Sequence, residues 1–434
     1  MAFRSGRPLI GATRVPGDKS ISHRALMLAA IASGRSRITG LSPGGDVRST
    51  ADALRQMGVA ISNEGDQWTV EGRGEAGLSE PPGPIDLGNS GTSARLLMGL
   101  IASHPIRVTI IGDSSLSQRP MERVAAPLRT IGAAIQASPG GTLPVTVEGQ
   151  GKAMPRHHRL AIASAQVKSA LMLAALRTPG TSSVTEPVAT RDHSERLFDR
   201  FGAPISIEED EAGGRTITIT GPAALTAQDI RVPGDPSSAA FLAVAALIVP
   251  GSDIFIRDVC INPLRTGLFE ALRQMGGDII FVDKKMVDGE PVANIRARHS
   301  RLSAIDIAPQ KVPSMIDEFP IFFIAAAFAD GTSRARGLRE LRVKESDRIT
   351  AMADGLKAIG VDVEESEDGL AITGSGGGHL RGGASIASRL DHRIAMSFAV
   401  AGLHCDEAVT IDSMMPVDTS FPGFIERLRE LQNA

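Results

Sequence analysis

Seven basic residues stand at or beside positions where the sequence predicts helices to begin. They are Lys19, Arg24, Arg119, Arg191, Lys344, Arg348 and Arg393. The first turn of a helix has unpaired N–H groups and a partial positive charge, so acidic residues are favoured there and basic ones are not. A phosphate or carboxylate bound between these cations would remove the repulsion. Any one of them could equally be a solvated surface charge, but seven at equivalent positions indicate anion binding.

Two acidic residues are candidates for proton transfer. Glu345 stands in Lys-Glu-Ser-Asp-Arg at 344–348, where neighbouring cations are expected to hold it ionised or poised near its partner Lys344. Asp317 precedes the apolar run 321–329 and could act as a general base in a water-poor setting. A carboxylate ahead of a buried helix can also be a helix cap, and the residues alone leave that alternative open.

The elements that would position these side chains follow a six-fold repeat. A Leu or Phe four residues before a helix-ending Gly recurs at Leu54, Leu128, Phe198, Leu272 and Leu356, with a truncated relative near Leu428. The repeat length is about 72 residues, too long for a helical solenoid. Each repeat predicts a small-residue helix, a strand, a second amphipathic helix and a strand pair, as at 20–33, 37–39, the helix ending at Gly58, and 60–61 with 67–70.

Helix starts are predicted at equivalent places in every repeat. First helices are expected from Lys19, Asn89, Ser164, Pro236, the segment 314–318 and Asp391. Second helices are expected near Asp46, Arg119, Arg191, Arg265, Lys344 and Thr419.

Two longer matches indicate that the halves of the chain are copies. Arg-Val-Pro-Gly-Asp at 14–18 returns at 231–235, and Ala-Leu-Arg-Gln-Met-Gly at 53–58 returns at 271–276. Only the first turn continues into cationic residues, at Lys19 and Arg24. The sequence therefore predicts two similar α/β domains of three repeats each.

Composition excludes several classes of protein. The 434 residues are 42% hydrophobic and 22% charged, with a net charge of −3 and only 3% aromatics. Stacking platforms for nucleic acid need aromatic residues on a basic face, so no nucleic-acid partner is expected. No apolar run is long enough for a signal peptide or a membrane span. Two cysteines cannot build a disulfide framework, and a cytoplasmic location is expected.

Two motif-like segments are rejected as functional sites. Gly72 to Gly77 has the dinucleotide glycine spacing but leads into Pro81-Pro82 instead of a helix. No phosphate-binding loop of the nucleotide-hydrolase kind occurs. His404-Cys405-Asp406-Glu407 lacks a second ligand cluster, so no metal is expected.

A group of motifs across the whole chain resembles the 5-enolpyruvylshikimate-3-phosphate synthase family, and its bacterial class II branch in particular. The motifs are Pro-Gly-Asp-Lys-Ser-Ile-Ser-His-Arg at 16–24, Gly-Asn-Ser-Gly-Thr at 88–92, Arg-Pro-Met at 119–121, Ser-Ala-Gln-Val-Lys at 164–168, Thr-Arg-Asp-His at 190–193, Lys-Glu-Ser-Asp-Arg at 344–348 and Asp-His-Arg-Ile-Ala-Met at 391–396.

The resemblance implies a transferase of the shikimate pathway, which leads to chorismate and the aromatic amino acids. The enzyme would move the carboxyvinyl group of phosphoenolpyruvate to the 5-hydroxyl of shikimate 3-phosphate, without cofactor or metal. The implied fold is an inside-out α/β barrel in two domains, each with three βαβαββ repeats, that close over the substrates. Residues 1–17 and 233–434 would form domain I and residues 18–232 domain II, with crossings near 15–18 and 232–235. The resemblance also implies a monomer.

The resemblance assigns site residues one by one. Shikimate 3-phosphate would be bound by Lys19, Ser20, Arg24, Ser164, Ala165, Gln166, Arg191, Asp317 and Lys344, with Ala165 standing where many members have Ser. Phosphoenolpyruvate would be bound by Lys19, Asn89, Gly91, Arg119, Gln166, Glu345, Arg348 and Arg393. Catalysis would involve Asp317, Glu345, Lys19 and Lys344, with Asp317 taking the 5-hydroxyl proton.

Two further points concern ligands. Many members carry Lys where this chain has Thr419, so no C-terminal lysine is counted among the ligands. Gly91 leaves room for phosphoenolpyruvate and for its mimic glyphosate, and inhibition by glyphosate is expected.

Two alternatives remain. The related enolpyruvyl transferase that acts on UDP-N-acetylglucosamine has Lys-Asn where this chain has Lys19-Ser20, and normally a mobile-loop cysteine. Cys260 lies in the wrong half for that role. A non-catalytic phospho-sugar binding protein would need the cations but neither Asp317 nor Glu345.

Overall fold

The backbone of this chain is divided between two compact units. The computed structural model describes residues 1–4, 6–151 and 153–433. Unit 1 consists of Met1–Asp18, Pro233–Val287 and Pro291–Ala434, and unit 2 of Lys19–Val232 and Asp288–Glu290. Each unit is described by itself below.

The helices of unit 2 alternate between buried and amphipathic. They are α1 (Lys19–Ile31), α2 (Gly45–Gln56), α3 (Gly91–Ala102), α4 (Glu122–Thr130), α5 (Ala165–Ala175) and α6 (His193–Arg200). Helices α1, α3 and α5 are rich in small residues and buried almost throughout. Gly99 permits the close approach of α3 and α5, because a Cβ there would lie 2.0 Å from the carbonyl oxygen of Ala170.

Unit 1 repeats the alternation. Its helices are α7 (Pro236–Ile248), α8 (Gly267–Gln274), α9 (Phe319–Ala327), α10 (Arg348–Ala358), α11 (His392–Gly402) and α12 (Phe424–Gln432). Helices α7, α9 and α11 are buried, and aliphatic residues with a few Phe fill this core. Short 3-10 helices occupy Gly74–Ala76, Leu116–Gln118, Pro309–Ser314, Ile316–Glu318, Arg339–Val343 and Met415–Thr419.

Each sheet of unit 2 has four strands in one arrangement. A short edge strand is parallel to the second strand, and the remaining neighbours are antiparallel. In order across the sheets, the strands are Ile230–Arg231, Ser33–Thr39, Gln67–Arg73 and Ala60–Glu64; Ile85–Asp86, Arg107–Ile111, Thr142–Glu148 and Ala134–Ser138; and His157–Arg159, Gly180–Glu186, Arg215–Gly221 and Ile205–Glu209.

The other three sheets follow the same order. In each, the first strand is parallel to the second, and the second is antiparallel to the third. Their strands are Ile10–Arg14, Asp253–Cys260, Glu290–Arg298 and Asp278–Val287; Asp306–Ile307, Thr332–Ala335, Gly369–Thr373 and Asp362–Ser366; and Ser385–Ile386, Val409–Ile411 and Ala2–Phe3. The described residues thus form six sheets, and the six-fold α/β repeat predicted from sequence is confirmed.

Two edge strands pair far from their neighbours in sequence. Ile10–Arg14 directly precedes α1 of unit 2 but pairs in unit 1 with Asp253–Cys260. Ile230–Arg231 directly precedes α7 of unit 1 but pairs in unit 2 with Ser33–Thr39. Each of these two strands therefore completes a sheet in one unit, while the helix that follows it belongs to the other unit.

The Pro-Gly-Asp parts of the two copies of the duplicated turn, 16–18 and 233–235, lie against each other in unit 1. The backbone N–H of Asp18 donates to Pro233 O at 2.7 Å, and that of Asp235 donates to Pro16 O at 2.8 Å. Arg265 joins the two aspartates, with Nη1 2.9 Å from Asp18 Oδ2 and Nη2 3.2 Å from Asp235 Oδ1. Burial alone would lower the pKa of Arg265, but these carboxylates and Glu318 outweigh it and raise the pKa.

Among the described residues, no helix has the length and apolar character needed to cross a bilayer.

Candidate active site

Lys19 opens α1 and faces an acidic residue that opens α2. Its Nζ lies 3.0 Å from Asp46 Oδ2, and both side chains are largely buried. The sequence predicted Lys19 as a site residue, but it predicted Asp46 only as the start of a helix. The charge of Lys19 is therefore already matched by a carboxylate within unit 2.

Arg24 lies one turn further along α1 and is buried. Its Nε donates to Ser194 Oγ and its Nη2 to Ser169 Oγ, both at 2.7 Å, while Nη1 donates to Ser20 O at 2.9 Å. Arg191 Nη1 donates to Ser20 Oγ at 3.1 Å. The structure thus brings Ser20, Arg24 and Arg191 together.

A second cluster surrounds the start of α3. Arg119 donates from Nη2 to Asn89 Oδ1 and from Nη1 to Asn89 O, the latter at 3.2 Å. Asn89 in turn donates to Asp113 Oδ2 at 2.8 Å. A Cβ on Gly91 would lie 3.0 Å from Arg119 Nη1, so this glycine lies directly against the guanidinium. Asn89, Gly91 and Arg119 form one group.

Gln166 connects α5 to α3 through a residue that sequence reasoning missed. Arg95 Nη1 donates to Gln166 Oε1 at 2.7 Å, and Gln166 Nε2 donates to Thr92 Oγ1 at 3.1 Å. Arg95 is a mostly buried cation within the otherwise apolar α3. The contrast between this charge and its apolar neighbours was the signal in the sequence that could have identified Arg95. Ser164 caps α5, which begins at Ala165.

Unit 1 brings together a separate cluster around Asp317. Asp317 Oδ1 lies 3.5 Å from Lys344 Nζ and 3.5 Å from Arg348 Nη1. Arg393 Nη1 donates to the carbonyl oxygen of Asp317 at 2.9 Å. Asp317 lies in the 3-10 helix Ile316–Glu318, and the N-cap position of α9 is Glu318.

Arg348 is the centre of this cluster. Its Nη2 lies 2.5 Å from Glu345 Oε2, and its Nε lies 2.8 Å from Asp391 Oδ2. Burial alone would lower the pKa of Arg348, but Asp391 and Glu345 outweigh it and raise the pKa. Arg348 remains charged, and it holds Glu345 and Asp317 beside one guanidinium.

Glu318 is a buried carboxyl next to Asp317 that sequence reasoning did not assign. It accepts a hydrogen bond from Ser237 Oγ, and its Oε1 lies 3.9 Å from Arg393 Nη1. Burial raises the pKa of Glu318, against the opposing charges of Arg265 and Arg393. Glu318 therefore connects Arg265, which joins the two copies of the duplicated turn, to the cluster around Asp317.

Thr419, the position where many members carry lysine, ends the 3-10 helix Met415–Thr419. Its Oγ1 donates to Pro416 O at 2.7 Å. The hydroxyl is therefore used within its own turn.

A family model described as EPSP synthase (3-phosphoshikimate 1-carboxyvinyltransferase) matches residues 3–428. The chain belongs to this family. Two relatives carry the name 3-phosphoshikimate 1-carboxyvinyltransferase: one from Sphingopyxis alaskensis is 57% identical, covering 99% of this chain and 98% of the relative. The other, from Zymomonas mobilis, is 56% identical, covering 99% and 96%.

Solved structures of the EPSP synthase family have the same fold. EPSP synthase from Acinetobacter baumannii superposes with a TM-score of 0.86 at 43% identity, over 99% of this chain and 97% of that one. An enolpyruvyl transferase from Streptomyces tendae superposes with a TM-score of 0.78 at 18% identity, over 99% and 96%, and supports the fold alone. The predicted enolpyruvyl transferase-like fold is confirmed.

Proposed function

We infer that this protein transfers the carboxyvinyl group of phosphoenolpyruvate to the 5-hydroxyl of shikimate 3-phosphate, releasing phosphate. The family match over residues 3–428, joined with relatives at 57% and 56% identity over nearly the whole chain, carries this conclusion. The reaction belongs to the shikimate pathway of aromatic amino acid biosynthesis.

Binding of the two anionic substrates is assigned to the clusters of unit 2. Arg24 and Arg191 converge on Ser20, which suits the phosphate of shikimate 3-phosphate, together with Ser164, Ala165 and Gln166 at the start of α5. Arg119, Asn89 and Gly91 suit phosphoenolpyruvate. Lys19 would contact both substrates, with Asp46 orienting its ammonium.

Proton transfers are assigned to the cluster of unit 1. Glu345 would donate a proton to the methylene carbon of phosphoenolpyruvate, which leaves cationic character on the neighbouring carbon. The 5-hydroxyl oxygen attacks that carbon while Asp317 takes its proton, giving a tetrahedral intermediate. Asp317 then passes the proton of the former hydroxyl to the departing phosphate. Glu345 recovers a proton from the methyl group, which restores the double bond.

The remaining basic side chains of unit 1 complete this assignment. Lys344 would contact shikimate 3-phosphate and assist proton transfer. Arg348 and Arg393 would bind phosphoenolpyruvate, because fixed cations stabilise the charge that develops as phosphate departs.

Three finer statements belong to the same proposal. Glyphosate, as a mimic of phosphoenolpyruvate, would inhibit through the Gly91 and Arg119 cluster. The protein would act as a monomer. It would work in the cytoplasm, since both cysteines, Cys260 and Cys405, are buried free thiols.

Phosphate release from shikimate 3-phosphate plus phosphoenolpyruvate tests the assignment. Asp317→Ala and Glu345→Gln are expected to slow turnover by about 10²- to 10⁴-fold while shikimate 3-phosphate still binds. Glu364→Gln, at an exposed carboxylate, is the matched control and should turn over normally. A wild-type protein that releases no phosphate with these substrates, or that prefers UDP-N-acetylglucosamine as acceptor, would contradict the proposal.

A further inference from the structure

Helix α5 carries a single charged side chain, Lys168, and it is fully buried. Its Nζ lies 2.9 Å from Glu186 Oε1 and 2.7 Å from Glu195 Oε1, and both of these carboxylates are buried as well. Nζ also donates to the carbonyl oxygen of Thr190 at 3.3 Å. One ammonium and two carboxylates therefore share a buried pocket beside Thr190.

Thr190 is held by this ion cluster at three atoms. Its backbone N–H donates to Glu186 Oε1 at 3.0 Å, and its hydroxyl donates to Glu186 Oε2 at 2.6 Å. Its carbonyl oxygen accepts from Lys168. Because N–H, C=O and side chain are all engaged, Lys168 and Glu186 determine where this residue lies and which way its peptide groups point.

The residue that follows Thr190 is the cation assigned to the phosphate site. Arg191 Nη1 donates to Ser20 Oγ at 3.1 Å. Any shift of the Thr190 backbone moves the base of this side chain, and hydrogen bonds weaken steeply with poor geometry.

The same helix also holds the far side of this segment. Ser169, directly after Lys168, shares a hydrogen bond of 2.7 Å with Ser194 Oγ. Both hydroxyls accept from Arg24, each at 2.7 Å. Helix α5 thus fixes the chain before and after Arg191 and places Arg24 in the same network.

Stability alone does not account for the buried ions. Removing two carboxylates and an ammonium from water is costly in free energy. Apolar residues of similar volume often replace such clusters without loss of stability. Burial raises the pKa of Glu195, although the charge of Lys168 opposes this shift. What an apolar replacement could not supply is the directional contact with Thr190.

We propose that Lys168 is a positioning residue that holds Arg191 and Arg24 in the geometry that receives the phosphate of shikimate 3-phosphate. This rests on the proposed function. Lys168 itself does not touch the substrate, since its ammonium is enclosed by Glu186, Glu195 and Thr190.

The test compares the affinities for shikimate 3-phosphate and for shikimate, which lacks the phosphate, by titration calorimetry. In Lys168→Met, shikimate 3-phosphate is expected to bind about 10- to 100-fold more weakly, because misplaced binding groups lose much of their effect. Affinity for shikimate and the KM for phosphoenolpyruvate should stay close to the wild-type values. A general loss of structure would weaken all three alike.

Two further variants keep the test decisive if Lys168→Met does not fold. Thr190→Val removes only the hydrogen bond from the hydroxyl to Glu186. It should weaken the binding of shikimate 3-phosphate, but not that of shikimate, by a smaller factor than Lys168→Met does. Glu195→Gln is the matched control, because Glu195 contacts Lys168 but makes no hydrogen bond to Thr190, and it should leave the affinity ratio unchanged.

An unchanged ratio of the two affinities in a folded Lys168→Met, or in Thr190→Val where Lys168→Met does not fold, would overturn the positioning role. A wild-type protein that binds no shikimate 3-phosphate would instead remove the proposed function on which the inference rests.

Discussion

The carboxylate of Asp317 lies 3.5 Å from the ammonium of Lys344. Arg348 contributes a second cation at 3.5 Å from the same oxygen. Asp317 therefore has two partners of different kinds, one at the end of a flexible stem and one fully buried. Their separate contributions can be measured.

Lys344→Met removes the flexible cation and leaves Arg348 in place. We expect kcat to fall by about 100-fold, because one of the charges that stabilises the developing negative charge is lost. Steady-state kinetics with both substrates would measure it. Lys357→Met, at an exposed lysine of α10, is the control. Wild-type kcat in Lys344→Met would show that Arg348 alone suffices.

Gly91→Ala places a methyl group 3.0 Å from Arg119 Nη1 and 3.4 Å from Arg95 Nη1. The Arg119 guanidinium must then shift by a few tenths of an ångström. We expect a higher KM for phosphoenolpyruvate and a still larger rise in the inhibition constant of glyphosate, by about tenfold or more. Gly83→Ala, where a methyl group meets open space, is the control. Equal inhibition constants in wild type and Gly91→Ala would refute this expectation.

Arg265→Met leaves the buried carboxylates of Asp18 and Asp235 without their shared cation. We expect the free energy of unfolding to fall by about 3–5 kcal/mol. Urea denaturation followed by circular dichroism would measure the change. Arg427→Met breaks only the exposed pair with Glu430 and should cost less than about 1 kcal/mol. Similar losses in both variants would argue against a special role for Arg265.

His104 makes the stability of the protein sensitive to acid. Burial lowers its pKa from 6.5 to about 4, with Arg177 adding to the effect and the hydrogen bond to Leu100 O opposing it. Between these two values the unfolded chain binds the proton and the folded protein does not. The free energy of unfolding should therefore fall as pH drops from 6.5 toward 4, by about 3 kcal/mol from this group.

His104→Gln removes that titration, so the stability difference between wild type and variant should narrow as pH falls. Denaturation series at pH 7 and pH 4 would measure it. The same change at His157, which is exposed, provides the control. A difference that stays constant with pH would rule out His104 as the responsible group.

Local patterns predicted the positions of the helices well. Pro236 begins α7 and Gly58 follows α2, as the repeat required, because glycine and proline act through their own backbone angles. The sequence also predicts Lys19 and Arg24 as candidates for anion binding, because cations in or beside the first turn of a helix conflict with the helix dipole.

The partners of these cations could not be predicted in the same way. Asp46 in a first turn has an ordinary local explanation, and only the folded chain brings it to Lys19. Glu318 and Lys168 become noticeable only through their burial, which depends on contacts between residues distant in sequence. The sequence alone does not distinguish a charged helix residue that faces solvent from one that faces a buried carboxylate.

The pairing of Ile10–Arg14 has a consequence for the order in which the protein can fold. Ile230–Arg231 follows all the other strands in the three sheets of unit 2, so these sheets have all their strands once residue 231 has left the ribosome. Ile10–Arg14 is made before its partner Asp253–Cys260 and must wait for it, and Ala2–Phe3 must wait for Val409–Ile411. Both strands thus wait for partners made hundreds of residues later, and the sheets of unit 1 stay incomplete until residue 411 has been made.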